Sequence, residues 1–331
     1  MIFVDGVGLG EADPAINPLV RARTPAIRGL LGGPLAGREA VRTSAALMVP
    51  LDARLGVPGL PQSATGQVAL LTGDNAPALV GRHITAYPTP TLAGLLQSRG
   101  LFTMLRARGV SVALANAYSA EYFAAVAGRK IRHAAITLNA LQAGVRLRDL
   151  DDLRAGRAVY QDLTNVRLRE GGIPVPLRTP EDAGRALAEV AAGHEFTLFE
   201  FFQTDLAGHR RVDDPVGVVE RVDRFLGAAL AATDLDDTLV LCTSDHGNLE
   251  DERTDAHTLN PVPALLVGAG REAVASRLHA ITDVAPACLD VLSPGVELAQ
   301  RASGPAAPSK TATPLTEHAG GDDATSGHMV S

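Results

Sequence analysis

The chain has 331 residues, with 30 basic and 37 acidic side chains and a formal charge of −7. That balance argues against a basic field for nucleic acid and against attraction to an anionic membrane, so small-molecule chemistry is the default. Two cysteines, Cys242 and Cys288, make no disulfide framework, and no apolar stretch reaches the ~20 residues of a bilayer span. The opening MIFVDG reads as a strand rather than a signal sequence, and a soluble cytoplasmic protein is expected. Oligomeric state is not legible.

Short apolar runs alternate with segments of helical period, the pattern of an α/β fold with a mostly parallel sheet. IFV (2–4) reads as a strand. A turn-rich stretch leads to VALLTG (68–73), helical spacing runs over 91–109, and SVALANA (111–117) is again a strand. From 118 to 178 the pattern weakens, around the charged patch GRKIRH (128–133) and the turn-like REGGIPVP (169–176). Periodicity resumes over 179–191, where Thr179 is placed to cap a helix and Pro180 suits its first turn. FTLFEFFQ (196–203), DTLVLCTS (237–244) and PALLVG (263–268) read as buried strands, with a helix over 218–232 between the first two. The expected organisation is a core formed by 1–117 and 179–300, with a small inserted cap at 118–178. Over 301–331 the composition turns to Ala, Gly, Pro, Ser and Thr without period, and a disordered tail is expected.

Four places carry Asp or His beside a strand end. Asp5 follows IFV, Asp205 and His209 follow FTLFEFFQT, Asp245 and His246 follow TLVLCTS, and His257 stands ahead of PALLVG. Ligand sites in open parallel sheets form outside the carboxyl ends of the strands, so the first three places can converge on one edge. A turn needs one such residue, whereas a site needs several. Asp205 and His209 are four apart and share a face if the chain is helical there. Carboxylate and imidazole together suit zinc, manganese or iron better than calcium or magnesium. Three Asp and three His exceed what one four-coordinate metal requires, and two cations about 3.5–4 Å apart would use them all. In GLPQSATGQVALLTG (59–73), Ser63, Thr65 and Gly66 stand where a helix or strand would begin. A hydroxyl at a helix N-terminus faces N–H groups that favour phosphate, and coordination to a divalent cation would activate it as a nucleophile.

The ordered pieces VDGVGLG, INPLVRARTPAI, GLPQSATGQ, TDLAGH, SDHGN and AHTLNPVP resemble the alkaline phosphatase superfamily, and within it the cofactor-independent phosphoglycerate mutases and phosphopentomutases. The resemblance implies an alkaline-phosphatase-like three-layer core with a mostly parallel sheet, and two divalent metal ions, Mn or Zn. One ion would be held by Asp205, His209 and His257, and the other by Asp5, Asp245, His246 and the hydroxyl of Ser63. Ser63 would be transiently phosphorylated. Three departures stand beside it. Gln67 occupies a position where the mutases usually have histidine, and the insert is far smaller than the mutases' own and holds one lysine, Lys130. Residues 156–165, which end in YQDLTN, resemble a segment that the mutases carry just after the nucleophile, yet here they lie inside the insert.

The insert is the natural lid for such a site. Arg129, Arg132 and His133 are candidates for a distal phosphate or carboxylate of the substrate, and Asn116 and Tyr118, just past strand 111–117, for the same edge. The expected function is phosphoryl transfer to or within a small phosphorylated metabolite, as a mutase. The alternatives are a metal-dependent phosphatase or phosphodiesterase, and a non-catalytic binding protein that kept the fold.

Overall fold

Strands β1 (Ile2–Val4), β2 (Val41–Arg42), β3 (Ala46–Leu51), β4 (Val112–Leu114), β5 (Phe196–Phe201), β6 (Leu239–Thr243) and β7 (Val262–Gly268) form one sheet in the order β2-β3-β7-β6-β1-β5-β4. The structure is a computed structural model and describes residues 1–130 and 132–292. The tail expected at 301–331, with 293–300 of the expected core, lies outside the described residues. β4, β5, β1 and β6 run parallel, while β7, β3 and β2 add antiparallel ladders on the β6 side. β2 and β3 were not legible in the sequence. ALMVPL carries Pro50, which argues against a strand inside a sheet, but here Pro50 pairs with Pro263 of β7, so neither residue brings an N–H to that position.

Side chains alternate cleanly across this sheet, and both faces are covered. Phe3, Leu47, Leu51, Leu114, Phe196, Leu198, Leu241 and Leu266 join one core cluster, under the helices Ser63–Thr72, Pro90–Arg99, Leu101–Ala107, Ala135–Gln142 and Val284–Leu292. Ile2, Val4, Met48, Phe199, Phe201, Leu265 and Val267 join the other, under Pro25–Leu31, Pro180–Ala192 and Pro215–Ala231. The result is a three-layer α/β/α core. Thr179 accepts from the Asp182 N–H in a capping box, with Pro180 at the first helical position. The helical run expected over 91–109 breaks at Gly100, where a Cβ would meet the Asn139 amide at 1.9 Å; that amide accepts the Phe102 N–H and so starts a second helix.

VALLTG lies in the helix Ser63–Thr72, all of whose residues except Ser63 are buried, and which ends on Gly73 in the left-handed region. A helix buried on every side is apolar all round, which is why its sequence carries no amphipathic period. The segment 118–178 is not set apart by one core of its own. Tyr118, Tyr122, Ile136, Ala140, Val145 and Leu147 join the larger cluster, while Leu153, Ala158, Tyr160, Leu168 and Val175 form a small satellite with Ala117. No helix among the described residues is long and apolar enough to cross a membrane.

The topology fixes where polar residues gather. β5, β1 and β6 are adjacent and parallel, so the chain leaves all three at one edge. β7 is antiparallel to β6, so its beginning lies at that edge too, and the loop leading into it returns there.

Candidate metal centre

Asp5 follows β1, Asp205 sits in the helix Gln203–Gly208 directly after β5, Asp245 and His246 follow β6, and His257 lies in the loop before β7. These residues and His209 meet as two groups, Asp205–His209–His257 and Asp5–Asp245–His246, within each of which one ligand atom per residue lies inside 4.8 Å of the others. His246 and His257 stack at 3.7 Å between ring centroids, so the groups adjoin. All except His209 are buried.

In the first group, His257 Nε2 stands 3.1 Å from His209 Nε2, and each lies 3.5 Å from Asp205 Oδ1. Tetrahedral ligands about 2.0–2.1 Å from a zinc-sized cation are about 3.3–3.4 Å apart, so this spacing fits one. Backbone carbonyls set the tautomers: His257 Nδ1 donates to Pro61 O and His209 Nδ1 to Asp255 O, both at 2.7 Å, which leaves the Nε2 lone pairs facing inward. Asn248 Nδ2 donates to Asp205 Oδ1 at 3.1 Å. Burial acts to raise the Asp205 carboxyl, but the His257 hydrogen bond and the neighbouring rings outweigh it and hold the group below its ordinary range. His257 is raised in turn, because Asp205 outweighs its burial.

The second group has no such internal balance. Burial pushes Asp5 up, and the charge of Asp245 adds to it; burial also raises Asp245 against the opposing pull of His246. Burial lowers His246. His246 Nε2 lies 3.3 Å from Asp5 Oδ1, 3.6 Å from Asp245 Oδ2 and 3.0 Å from Ser63 Oγ. Both oxygens of Asp245 and Oδ1 of Asp5 are buried acceptors without a hydrogen-bond partner. Such orphaned acceptors are costly, and a divalent cation among them is the partner that fits this donor set. Thr204 Oγ1 donates to Asp5 O at 2.5 Å, and Gln67 Nε2 donates to Asp5 Oδ2 at 3.3 Å, so the residue standing where the mutases usually have histidine orients a carboxylate.

Ser63 is the first residue of its helix, half-buried, with Gln62 providing no side-chain cap. The helix meets the Asp245 loop through Gly66, where a Cβ would stand 3.0 Å from Asp245 O. The hydroxyl is thereby held against the second group, with the helix N-terminus behind it.

Residues 178–293 match the model of the Metalloenzyme superfamily. A 2,3-bisphosphoglycerate-independent phosphoglycerate mutase of Cereibacter sphaeroides (strain ATCC 17029 / ATH 2.4.9) is 32% identical over 126 residues, covering 35% of this chain and 24% of that protein. A mutase of the same description from Dinoroseobacter shibae (strain DSM 16493 / NCIMB 14021 / DFL 12) is 34% identical over 114 residues, covering 32% of the chain and 22% of the protein. The chain thus spans about a quarter of the length of the curated relatives it matches. Its fold is shared by the PH0037 protein from Pyrococcus horikoshii, at a TM-score of 0.54 and 16% identity, over 90% of this chain and 97% of that one.

None of the candidate substrate residues belongs to these two groups. Both ends of the Asn116 amide are engaged by β5, its Nδ2 donating to Glu200 O at 2.8 Å and its Oδ1 accepting the Glu200 N–H at 2.9 Å. Tyr118 is buried, its hydroxyl 2.7 Å from Thr137 Oγ1. Arg129 and Arg132 are exposed, Arg132 standing 5.3 Å above the Tyr87 ring, and His133 Nδ1 lies 2.7 Å from the Tyr122 hydroxyl. Burial lowers His133. Glu200 and Glu250 are among the buried acids that went unassigned in the sequence. Glu200 lies inside an aromatic strand, where the break in an apolar run was a usable signal; burial, and then the charge of Asp245, push it up to about 8. Glu250 ends TSDHGNLE, where a single loop acid carries no signal of its burial.

Proposed function

We propose that the chain is a bimetal-dependent phosphoryl-transfer enzyme working through a phosphoserine at Ser63, with mutase-like chemistry on a small phosphorylated metabolite. The observation that carries this reading is the position of Ser63, its hydroxyl 3.0 Å from His246 Nε2 at the start of a helix packed onto two adjoining carboxylate–imidazole groups. Asp205, His209 and His257 would hold one cation, and Asp5, Asp245, His246 and Ser63 Oγ the other. Manganese and zinc both suit these donors. When bound, the cations supply charge neutralisation for the transferring group and favour the alkoxide form of the serine.

The remaining work belongs to the chain. Ser63 Oγ gives its proton to solvent and forms the bond to phosphorus as the bond to the ester oxygen breaks, and that oxygen leaves with a proton from solvent. The helix behind Ser63 directs free N–H groups toward the phosphoryl oxygens. Return of the phosphoryl group to another hydroxyl of the substrate is the mutase outcome, and transfer to water is the hydrolase outcome. The hydrolase reading is favoured by one observation, that the match to the mutases covers only about a quarter of their length. Arg132 and His133 in the insert are the proposed contacts to the distal end of the substrate, with Arg129 beside them.

A panel of phosphosugars and phosphoglycerates followed by phosphorus NMR separates the outcomes, through isomerised ester or free phosphate. Ser63→Ala is expected to lower turnover of any accepted ester by at least about 10³-fold, as removal of a nucleophile does elsewhere. Turnover undiminished in Ser63→Ala contradicts the phosphoserine route.

A further inference from the structure

Glu250 is fully buried, yet it is not in the proposed ligand set. Its carboxylate takes four hydrogen bonds. Oε2 accepts the Gly8 N–H at 2.9 Å and the Asn248 N–H at 2.8 Å, while Oε1 accepts the Asn260 side-chain N–H at 3.0 Å and the Thr258 hydroxyl. The sequence positions of these donors matter more than their number. Gly8 follows Asp5 by three residues, Asn248 follows His246 by two, and Thr258 is next to His257. One carboxylate therefore ties together the loop after β1, the loop after β6 and the loop before β7. Thr258 N also donates to Gly247 O at 2.9 Å, joining the last two directly.

The loops are built to admit this carboxylate. A Cβ on Gly8 would stand 2.2 Å from Glu250 Oε1, and one on Gly247 2.3 Å from the same atom. The four partners are all neutral donors, and hydrogen bonds to an ionised acceptor are stronger and more directional than neutral ones. We infer that Glu250 is a positioning residue that sets the spacing of both proposed cation sites by clamping three ligand-bearing loops. This rests on the bimetal reading above.

Glu250→Gln separates the two ends of the clamp. The glutamine keeps its carbonyl oxygen toward the Gly8 and Asn248 N–H groups, which cannot reverse, and turns its own N–H groups toward Thr258 and Asn260. Thr258 can rotate to accept, whereas the Asn260 N–H loses its acceptor. The change thus loosens the loop of His257 while leaving those of Asp5 and His246 tied. Protein stripped of metal and titrated with Co²⁺ alone reads this through the visible bands of the bound ion and the stoichiometry. The wild type is expected to take up two equivalents. In Glu250→Gln one equivalent is expected to weaken by about 10–100-fold, the range for a lost partner behind a ligand, and the other to stay near its wild-type affinity. Asn260→Ala, which removes one donor and leaves Glu250 in place, is expected to weaken the same equivalent by less, and it keeps the inference testable if Glu250→Gln fails to fold. Wild-type affinity for both equivalents in the two variants overturns the role of Glu250. So does equal weakening of both equivalents together with a lower melting temperature of the stripped protein, the pattern of a general fold support. Fewer than two equivalents in the wild type would instead overturn the bimetal reading, and the inference with it.

Discussion

The edge formed by β5, β1, β6 and the start of β7 and the insert at 118–178 hold their polar side chains in different ways. At the edge, Asp5, Asp205, Asp245, His246 and His257 are buried, and most are oriented by a neighbour: Pro61 O on His257, Asn248 on Asp205, Gln67 on Asp5. In the insert the charges pair locally. Arg154 meets Asp151 at 2.7 Å, and Asp152, the buried acid of a capping box, takes Arg146 at 2.6 Å and Arg157 at 3.3 Å. Arg129 and Arg132 remain exposed. The contrast teaches that the acids and imidazoles of the edge are preorganised by topology, whereas the proposed recognition residues Arg129 and Arg132 stand exposed on the insert. Small geometric changes should therefore be costly at the edge and mild in the insert.

Gly66→Ala is the sharpest way to break that contrast. The added methyl would meet the Asp245 backbone and side chain at 3.0–3.1 Å, so either the Ser63 helix or the Asp245 loop must shift by a few tenths of an ångström. Ester turnover is expected to fall by about 10²-fold, the scale of a misplaced reacting group, with the far-ultraviolet circular dichroism unchanged. Turnover near wild type would show that the edge tolerates displacement.

A smaller effect is expected from Glu200→Gln, read as stability against pH in protein stripped of metal. The folded carboxyl titrates at about 8, against an ordinary value near 4.5 in the unfolded chain. Between these values the folded state binds more protons, so Glu200 lowers stability as pH rises from about 4.5 to about 8, by at most about 1.4 kcal/mol per pH unit. Below that window there is no penalty, and above it the full penalty stays. Urea unfolding should show Glu200→Gln gaining on the wild type at pH 8 relative to pH 5, and bound cations should shrink the difference. An equal gain at both pH values would contradict the assignment.

The mildest expected change is Arg132→Ala in the insert. It should raise KM several-fold with kcat within about twofold, as loss of a uniform binding contact does, and leave the melting temperature within about 2 °C, as exposed substitutions do. A fall in kcat of the size expected for Gly66→Ala would erase the distinction between the two regions.

The edge was legible in the sequence because each cluster residue sits beside a strand whose apolar run is unmistakable. DHG after TLVLC and DLAGH after FTLFEFFQ place charge where a buried strand must end. Parallel pairing of β5, β1 and β6 then brings those ends together. β3 escaped because Pro50 masks the strand signal, and at Ser63 helix and strand stayed open because burial on every side removes the period. Glu200 and Glu250 escaped for a different reason. A single acid in a run or loop shows nothing of its partners, and the four donors to Glu250 come from positions up to 242 residues away in the chain. The insert was legible only as a weakly patterned, charged region, because its buried residues are divided between two clusters rather than set on one periodic face.

The most direct test of the central claim is elemental analysis of the purified protein, after dialysis against manganese or zinc, beside Asp245→Asn and His209→Ala, one substitution in each group. The account predicts two divalent ions per chain in the wild type and about one in each variant. Fewer than two ions in the wild type, or two retained in both variants, would contradict it.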